Sequence, residues 1–194
     1  LKVIALNNYI SPLQIYETIV KEEIHPVIVI ENKDNYSKYF ANIQEKIFEN
    51  YKFETETQKY PLLRWTPKYS KSDISFITYG GNIQIVFEAV EKLYYENDLL
   101  SEIIVLTQLQ PLSILQLTTA LTTSYIFVVE EGSKYGGFGS EVISSLFEAG
   151  AEIKKGKRIA SYPLPIPASK VLESKILCNT SSIVKSVLDT LNED

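Results

Sequence analysis

The sequence predicts an α/β fold built on a mainly parallel sheet. Short apolar runs without polar alternation recur along the chain. Amphipathic stretches of about ten to fifteen residues separate them, and Gly, Pro or Asn stands at the joints. Parallel strands need long crossover connections, which helices of that length supply with a right-handed sense.

Lys2–Leu6 is the first strand candidate, and Asn7–Ser11 is rich in turn residues. Pro12 suits the first turn of a helix, where its missing N–H has no partner to lose. That helix should run to about Glu23, with Leu13, Tyr16, Ile19 and Val20 on one face. In Pro26–Ile30 the run Val-Ile-Val-Ile has no polar alternation, so it reads as a strand buried on both faces.

Residues 31–72 break this rhythm. They are rich in Asn, Lys, Tyr and Glu, with a short helix expected around Ala41–Tyr51 and with Pro61 and Pro67 near the end. Connections inside a compact domain are usually much shorter. The stretch 32–72 therefore reads as a linker between two domains, 1–31 and 73–194.

Asp73–Tyr79 reads as a strand and Gly80-Gly81 as a tight turn. Asn82 suits the N-cap of a helix whose Val86, Ala89, Val90 and Leu93 share a face. Glu102–Thr107 is the next strand, Pro111 opens a helix to about Thr122, and Tyr125–Val129 is a further apolar strand. The glycine-rich loop Gly132–Gly139 leads to a helix over Ser140–Ala149, and Arg158–Tyr162 is a strand. Pro163–Pro167 should cross the surface before Asn179 or Thr180 caps a last helix to about Leu191.

Composition narrows the chemistry. With 194 residues, 45% hydrophobic and 22% charged, the chain is globular rather than disordered, collagen-like or coiled-coil. A single cysteine, Cys178, excludes an internal disulfide and a cysteine-built zinc site. The lone His25 excludes a multi-histidine metal centre, and any Ser-His-Asp chemistry would have to run through it. The net charge of −5 argues against a nucleic-acid footprint. The one dense basic run, Lys154-Lys155-Gly156-Lys157-Arg158, reads as a solvated turn before a strand, with an anion contact as the alternative. No apolar stretch approaches the roughly 18 to 20 residues that span a bilayer, and no signal peptide is visible. The expected location is the cytoplasm or an organellar matrix. The chain holds no methionine and starts inside a strand-like run, so a piece of a longer protein is expected.

Gly136-Gly137-Phe138-Gly139 lacks the G-x-G-x-x-G spacing of a dinucleotide loop, and no Gly-Lys-Ser/Thr follows it. It reads as a sharp turn that needs positive φ and close packing of helix on sheet. Glu130 and Glu131 end a strand, where α/β sheets present functional groups. As a general acid–base pair they would need a partner base or metal, and the sequence suggests none. His25, next to Pro26, suits a helix C-terminus, and Cys178 reads as a small buried filler. Trp65, near Tyr60 and Tyr69, should pin the linker to a domain, with a recognition patch as the alternative. The thirteen tyrosines are not interleaved with basic residues, so they do not form a stacking platform for nucleic acid.

Several segments carry a family resemblance. Asp73-Ile-Ser-Phe-Ile-Thr-Tyr-Gly80 resembles the first strand of a carboxy-terminal transketolase-like domain. Val128-Val-Glu-Glu-Gly-Ser-Lys-Tyr-Gly-Gly-Phe-Gly-Ser-Glu141 is similar to the signature of β subunits of the 2-oxoacid dehydrogenase decarboxylating components, of the pyruvate and branched-chain type. Pro165-Ile-Pro-Ala-Ser-Lys-Val-Leu-Glu173 resembles the segment before their final helix, and Leu1–Ile30 resembles the end of their pyrimidine-binding domain.

The resemblance implies a three-layer α/β/α domain over 73–194, preceded by the end of a pyrimidine-binding domain at 1–31 and a linker at 32–72. It also implies a parent enzyme that uses thiamine diphosphate and magnesium to decarboxylate a 2-oxo acid and pass the acyl unit to a lipoyl group. By the same logic the activating glutamate lies upstream of Leu1, and the chain lacks the family's β-chain histidine, which His25 does not match. Diphosphate and magnesium would lie with the α subunit. No catalytic, cofactor-binding or metal residue is therefore assigned here, and the chain alone is expected to bind neither cofactor. Its expected partners are a second copy in a homodimer, the α subunit and the dihydrolipoyl acyltransferase core.

The family's monovalent-cation loop would fall at Ile19–Ile24. There Glu22 replaces the usual aspartate and the turn to Pro26 is one residue longer, so that site is not carried over. A fragment of a transketolase or deoxyxylulose-phosphate synthase, or a non-catalytic interaction module, are the alternatives. Gly-Gly-Phe-Gly and Pro-Ile-Pro-Ala-Ser-Lys favour the dehydrogenase β subunit.

Overall fold

In the computed structural model residues 1–36, 49–55 and 59–193 are described. Two sheets organise them. In the smaller, β1 (Lys2–Ala5) pairs in parallel with β2 (Val27–Ile30), and α1 (Pro12–Glu22) connects the two. On its other side β1 pairs antiparallel with the short β7 (Gln108–Gln110).

The larger sheet has six strands in the order β3-β4-β6-β5-β8-β9. β5 (Ile74–Tyr79), β6 (Ser101–Leu106), β8 (Tyr125–Ser133) and β9 (Lys155–Ser161) are mutually parallel. β3 (Tyr51–Thr55) and β4 (Leu63–Pro67) form an antiparallel hairpin, and β4 pairs antiparallel with β6.

Period-two alternation splits each central strand between two cores. Phe76, Ile103, Val105, Phe127 and Val129 face α2 (Ile83–Asn97) and α6 (Thr180–Asn192), meeting Val86, Val90, Ile183 and Val187. Ile77, Ile104, Ile126 and Val128 face α3 (Ile114–Ala120) and α4 (Phe138–Glu148), meeting Leu117, Val142 and Leu146. Because both faces are covered, these strands need no polar positions, and the expected three-layer α/β/α arrangement follows. α6 starts as expected: Ser182 N donates to Asn179 Oδ1, and Asn179 N donates to Ser182 Oγ, closing a capping box.

Several expectations are corrected. Leu13, Tyr16 and Val20 of α1 are exposed, whereas Ile15 is buried and Ile19 half-buried. The packed seam is therefore Ile15/Ile19, one turn apart on the helix, against Ile4 of the small sheet and Tyr60. β2 is not buried on both faces: it is an edge strand, and Ile28 stays 49% exposed. Part of the expected linker 32–72 is regular structure, since β3 and β4 extend the main sheet. Of the helix expected at Ala41–Tyr51, residues 41–48 lie outside the described residues, and Tyr51 opens β3. Pro111 does not begin a helix; its bond to Gln110 is cis, and α3 starts at Ile114. β7 precedes it, held by pairing with β1 that no local signal announces. Lys155 to Arg158 stand inside β9 rather than in a turn before it. A further short helix, α5 (Lys170–Ile176), was not expected.

Candidate functional site

β5 and β8 are neighbours, yet the chain leaves them in opposite directions: β5 continues through α2 to β6, and β8 through α4 to β9. Such a divergence opens a crevice at the carboxyl ends of the two strands, the usual ligand position in α/β sheets. Tyr79, Gly80 and Gly81 end one side, and Glu130 and Glu131 the other.

Both carboxylates are engaged with the chain's own atoms. Gly81 N donates to Glu131 Oε1 at 2.8 Å, and Asn32 Nδ2 donates to the same oxygen at 2.6 Å. Asn32 follows β2, so this contact joins the small sheet to the large one. A Cβ on Gly81 would collide with both the Asn32 amide and the Glu131 carboxylate, so a side chain there would displace the clasp between them.

Glu130 is fully buried. Gly139 N donates to Glu130 Oε2 at 3.1 Å, and the Phe138 amide also bonds the carboxylate. Glu130 Oε1 has no partner among the described residues. A Cβ on Gly137 would stand 2.5 Å from Glu130 Oε2, and one on Gly139 would stand 2.8 Å from Oε1. Gly136 takes a φ of 67°. The Gly-Gly-Phe-Gly run is thus the sharp, close-packed turn expected, and the anion at the head of α4 is an internal glutamate. Burial pushes the Glu130 carboxyl above its ordinary range, against the pull of the Gly139 amide, the Arg158 charge and the Phe138 amide. Arg158 Nη1 donates to Lys134 O at 2.7 Å and to Ser140 Oγ at 2.6 Å, tying β9 to the same loop. Tyr79 packs edge-on to Phe138, and burial with the neighbouring Glu130 and Glu131 charges pushes its hydroxyl up to about 12.

The other sequence candidates lie elsewhere. His25 is exposed in the turn between α1 and β2. Cys178 is half-buried against the α2/α6 core, and burial pushes its thiol up to about 11, far from a reactive thiolate. Trp65 is buried in β4 between Tyr9, Phe53 and Phe87, so it pins the hairpin as expected; Tyr69 is exposed. At Ile19–Ile24, Ile19 O accepts from Glu23 N and Glu22 O accepts from Lys59 Nζ. The Glu23 carboxylate accepts from Lys2 Nζ at 2.6 Å, Lys59 Nζ at 2.8 Å and Tyr60 Oη at 3.0 Å.

Glu102, Asn32 and Lys59 carry structure that the sequence did not single out. Glu102 is fully buried at the amino end of β6 and accepts from Ser75 Oγ, Thr122 N, Thr122 Oγ1 and Arg64 Nη2. Its one local signal is a carboxylate inside the apolar run Ser-Glu-Ile-Ile-Val-Leu.

The family profile described as "Transketolase, C-terminal domain" matches residues 64–183, more than half of the chain. The chain belongs to the transketolase C-terminal domain family. This transketolase C-terminal domain is 27% identical over 174 residues to the mitochondrial pyruvate dehydrogenase E1 component subunit beta of Saccharomyces cerevisiae, covering 87% of the chain and 45% of that protein. The corresponding subunit of Caenorhabditis elegans is 22% identical, with 87% and 47% covered. The chain therefore spans about half the length of the curated relatives it matches. A solved structure titled "Split gene transketolase, inactive beta4 tetramer" aligns over 98% of the chain and 57% of its own with a TM-score of 0.62, which at 17% identity shows the shared fold.

The transketolase C-terminal domain does not offer a diphosphate–magnesium site at its switch point. The amides of Gly81, Phe138 and Gly139 that could hold a phosphate already bond Glu131 and Glu130. The two carboxylates there would repel a diphosphate. Among the described residues no group of three His, Cys, Asp or Glu side chains could hold a metal ion, and no helix is long and apolar enough to cross a membrane.

Proposed function

We propose that this chain is the carboxy-terminal part of the β subunit of a thiamine-diphosphate-dependent 2-oxoacid dehydrogenase, in which it serves dimerisation and docking. Residues 1–31 then close a pyrimidine-binding domain, and the α subunit and a dihydrolipoyl acyltransferase core are its further partners. The observation that carries the reading is the filled switch point: Glu131 clasps Asn32 and Gly81 where a ligand would otherwise sit. A crevice used in this way joins two sheets, which suits an assembly role better than a catalytic one. Alignment with two E1 β subunits over most of the chain favours this reading over a transketolase or deoxyxylulose-phosphate synthase fragment.

Calorimetry of the 194-residue chain with thiamine diphosphate and magnesium tests it. No binding heat is expected, and micromolar binding would overturn the view that the cofactor is held elsewhere. Sedimentation should show a homodimer; a clean monomer at tens of micromolar would remove the dimerisation role.

A further inference from the structure

β9 is the edge of the six-stranded sheet, and among the described residues no strand pairs with its outer side. Alternate residues of such a strand turn their N–H and C=O groups away from the sheet, ready to bond an added chain. A groove of about 380 Å³ runs along this edge, closed on the far side by the segment from Lys175 to Asp189. Five cations line it, Lys134, Lys157, Arg158, Lys175 and Lys185, against one carboxylate, Asp189.

That concentration is unusual in a chain with 19 Lys and Arg against 24 Asp and Glu, whose remaining surface is acidic. Arg158 is held by Lys134 O and Ser140 Oγ, but Lys134, Lys157, Lys175 and Lys185 have no ion-pair partner among the described residues. At the groove's end Tyr162 and Pro163 complete the lining, and Tyr162 is exposed.

We propose that the outer edge of β9 is a docking site for an acidic, extended peptide segment of a partner protein. The segment adds a strand beside Gly156 to Ala160, its main chain bonding the free edge and its carboxylates meeting the four unpaired lysines. A second copy of this chain is disfavoured at this edge, because the same lysines would oppose each other. A small anion would satisfy the charges and leave the backbone groups unused. This inference does not rest on the dehydrogenase reading, since it uses neither the switch point nor the cofactor.

The probe is a fluorescein-labelled octapeptide, Glu-Val-Glu-Thr-Glu-Val-Glu-Thr, titrated into the full chain and followed by anisotropy and by backbone amide shifts. Binding should move the amides of Gly156 to Ala160, and the Lys-for-Glu counterpart should not bind. The double variant Lys175→Glu/Lys185→Glu, exposed on helices and checked for folding by circular dichroism, should weaken binding at least about tenfold. Methylating alternate peptide nitrogens should weaken it comparably, which purely electrostatic binding would not show. Equal binding of the basic peptide, no effect of charge reversal or no effect of N-methylation would each overturn the proposal. So would inorganic phosphate shifting these amides while the peptide does not.

Discussion

Asn32 and Glu131 lie 99 residues apart in the chain and are joined by a 2.6 Å hydrogen bond from Asn32 Nδ2 to Glu131 Oε1. Gly81 N donates to that oxygen as well, so one carboxylate holds the end of β2 and the turn after β5 together. A partly buried, charge-accepting bond of this kind contributes more than an exposed ion pair.

Replacing Glu131 with Ala should therefore cost about 1–3 kcal/mol and loosen the small sheet before the large one. Hydrogen exchange should show faster amides in residues 27–36 with little change in β5 and β6. Uniform acceleration across both sheets would mean that the joint is not local.

The glycine loop makes a sharper prediction. Gly137→Ala would drive a methyl group into the Glu130 carboxylate and the Ser133 carbonyl, so a loss of roughly 1–3 kcal/mol is expected. Gly132→Ala meets only an ordinary 3.7 Å contact and should be close to neutral in the same urea titration.

Two glutamates should give opposite pH dependences. Paired first of all with Lys2, and then with Lys59, Glu23 is held down from 4.5 to about 2. Its contribution is fully present above 4.5 and is lost as the pH falls toward about 2, so Glu23→Gln should flatten the acid side of a stability–pH curve. Glu130 is pushed the other way, chiefly by burial. Its contribution is present at low pH and is lost as the pH rises through its raised value, so Glu130→Gln should gain on the wild type as pH increases. Parallel curves for wild type and Glu130→Gln would contradict the buried-carboxylate account.

Glu102 is the second buried carboxylate, and unlike Glu130 it has donors for both oxygens. Glu102→Ala leaves Arg64 with only its 3.7 Å contact to Glu54 and removes the acceptor of the Ser75 and Thr122 donors, so a loss of about 2–4 kcal/mol is expected from chemical unfolding. Replacing Arg64 and Glu102 together by apolar residues should cost less than Glu102→Ala alone.

Legibility in the sequence followed locality. The run Ile-Ser-Phe-Ile-Thr-Tyr announced β5, and Val86, Ala89, Val90 and Leu93 announced the buried face of α2, because period and burial agree there. The pair Asn179-Thr180 announced the start of α6, and the structure makes Asn179 the cap, since a capping box is complete within four residues. The glycines at 136, 137 and 139 were readable as a tight turn, but not as the cradle of Glu130, because that contact depends on how α4 lands on β8. α1 misled for a similar reason: its apolar residues cover more than one face, and only the position of the small sheet selects Ile15.

By itself the sequence determined an α/β chain with a parallel core, and through its motifs the transketolase-like carboxy-terminal domain. Those properties arise from the composition and period of segments a few residues long. Only the tertiary structure decided that β3 and β4 extend the main sheet, that β7 pairs with β1 and that Glu131 fastens Asn32 across the switch point. Each of these rests on hydrogen bonds between segments far apart in the chain. Loop closure and packing set such pairings, and no local pattern encodes them.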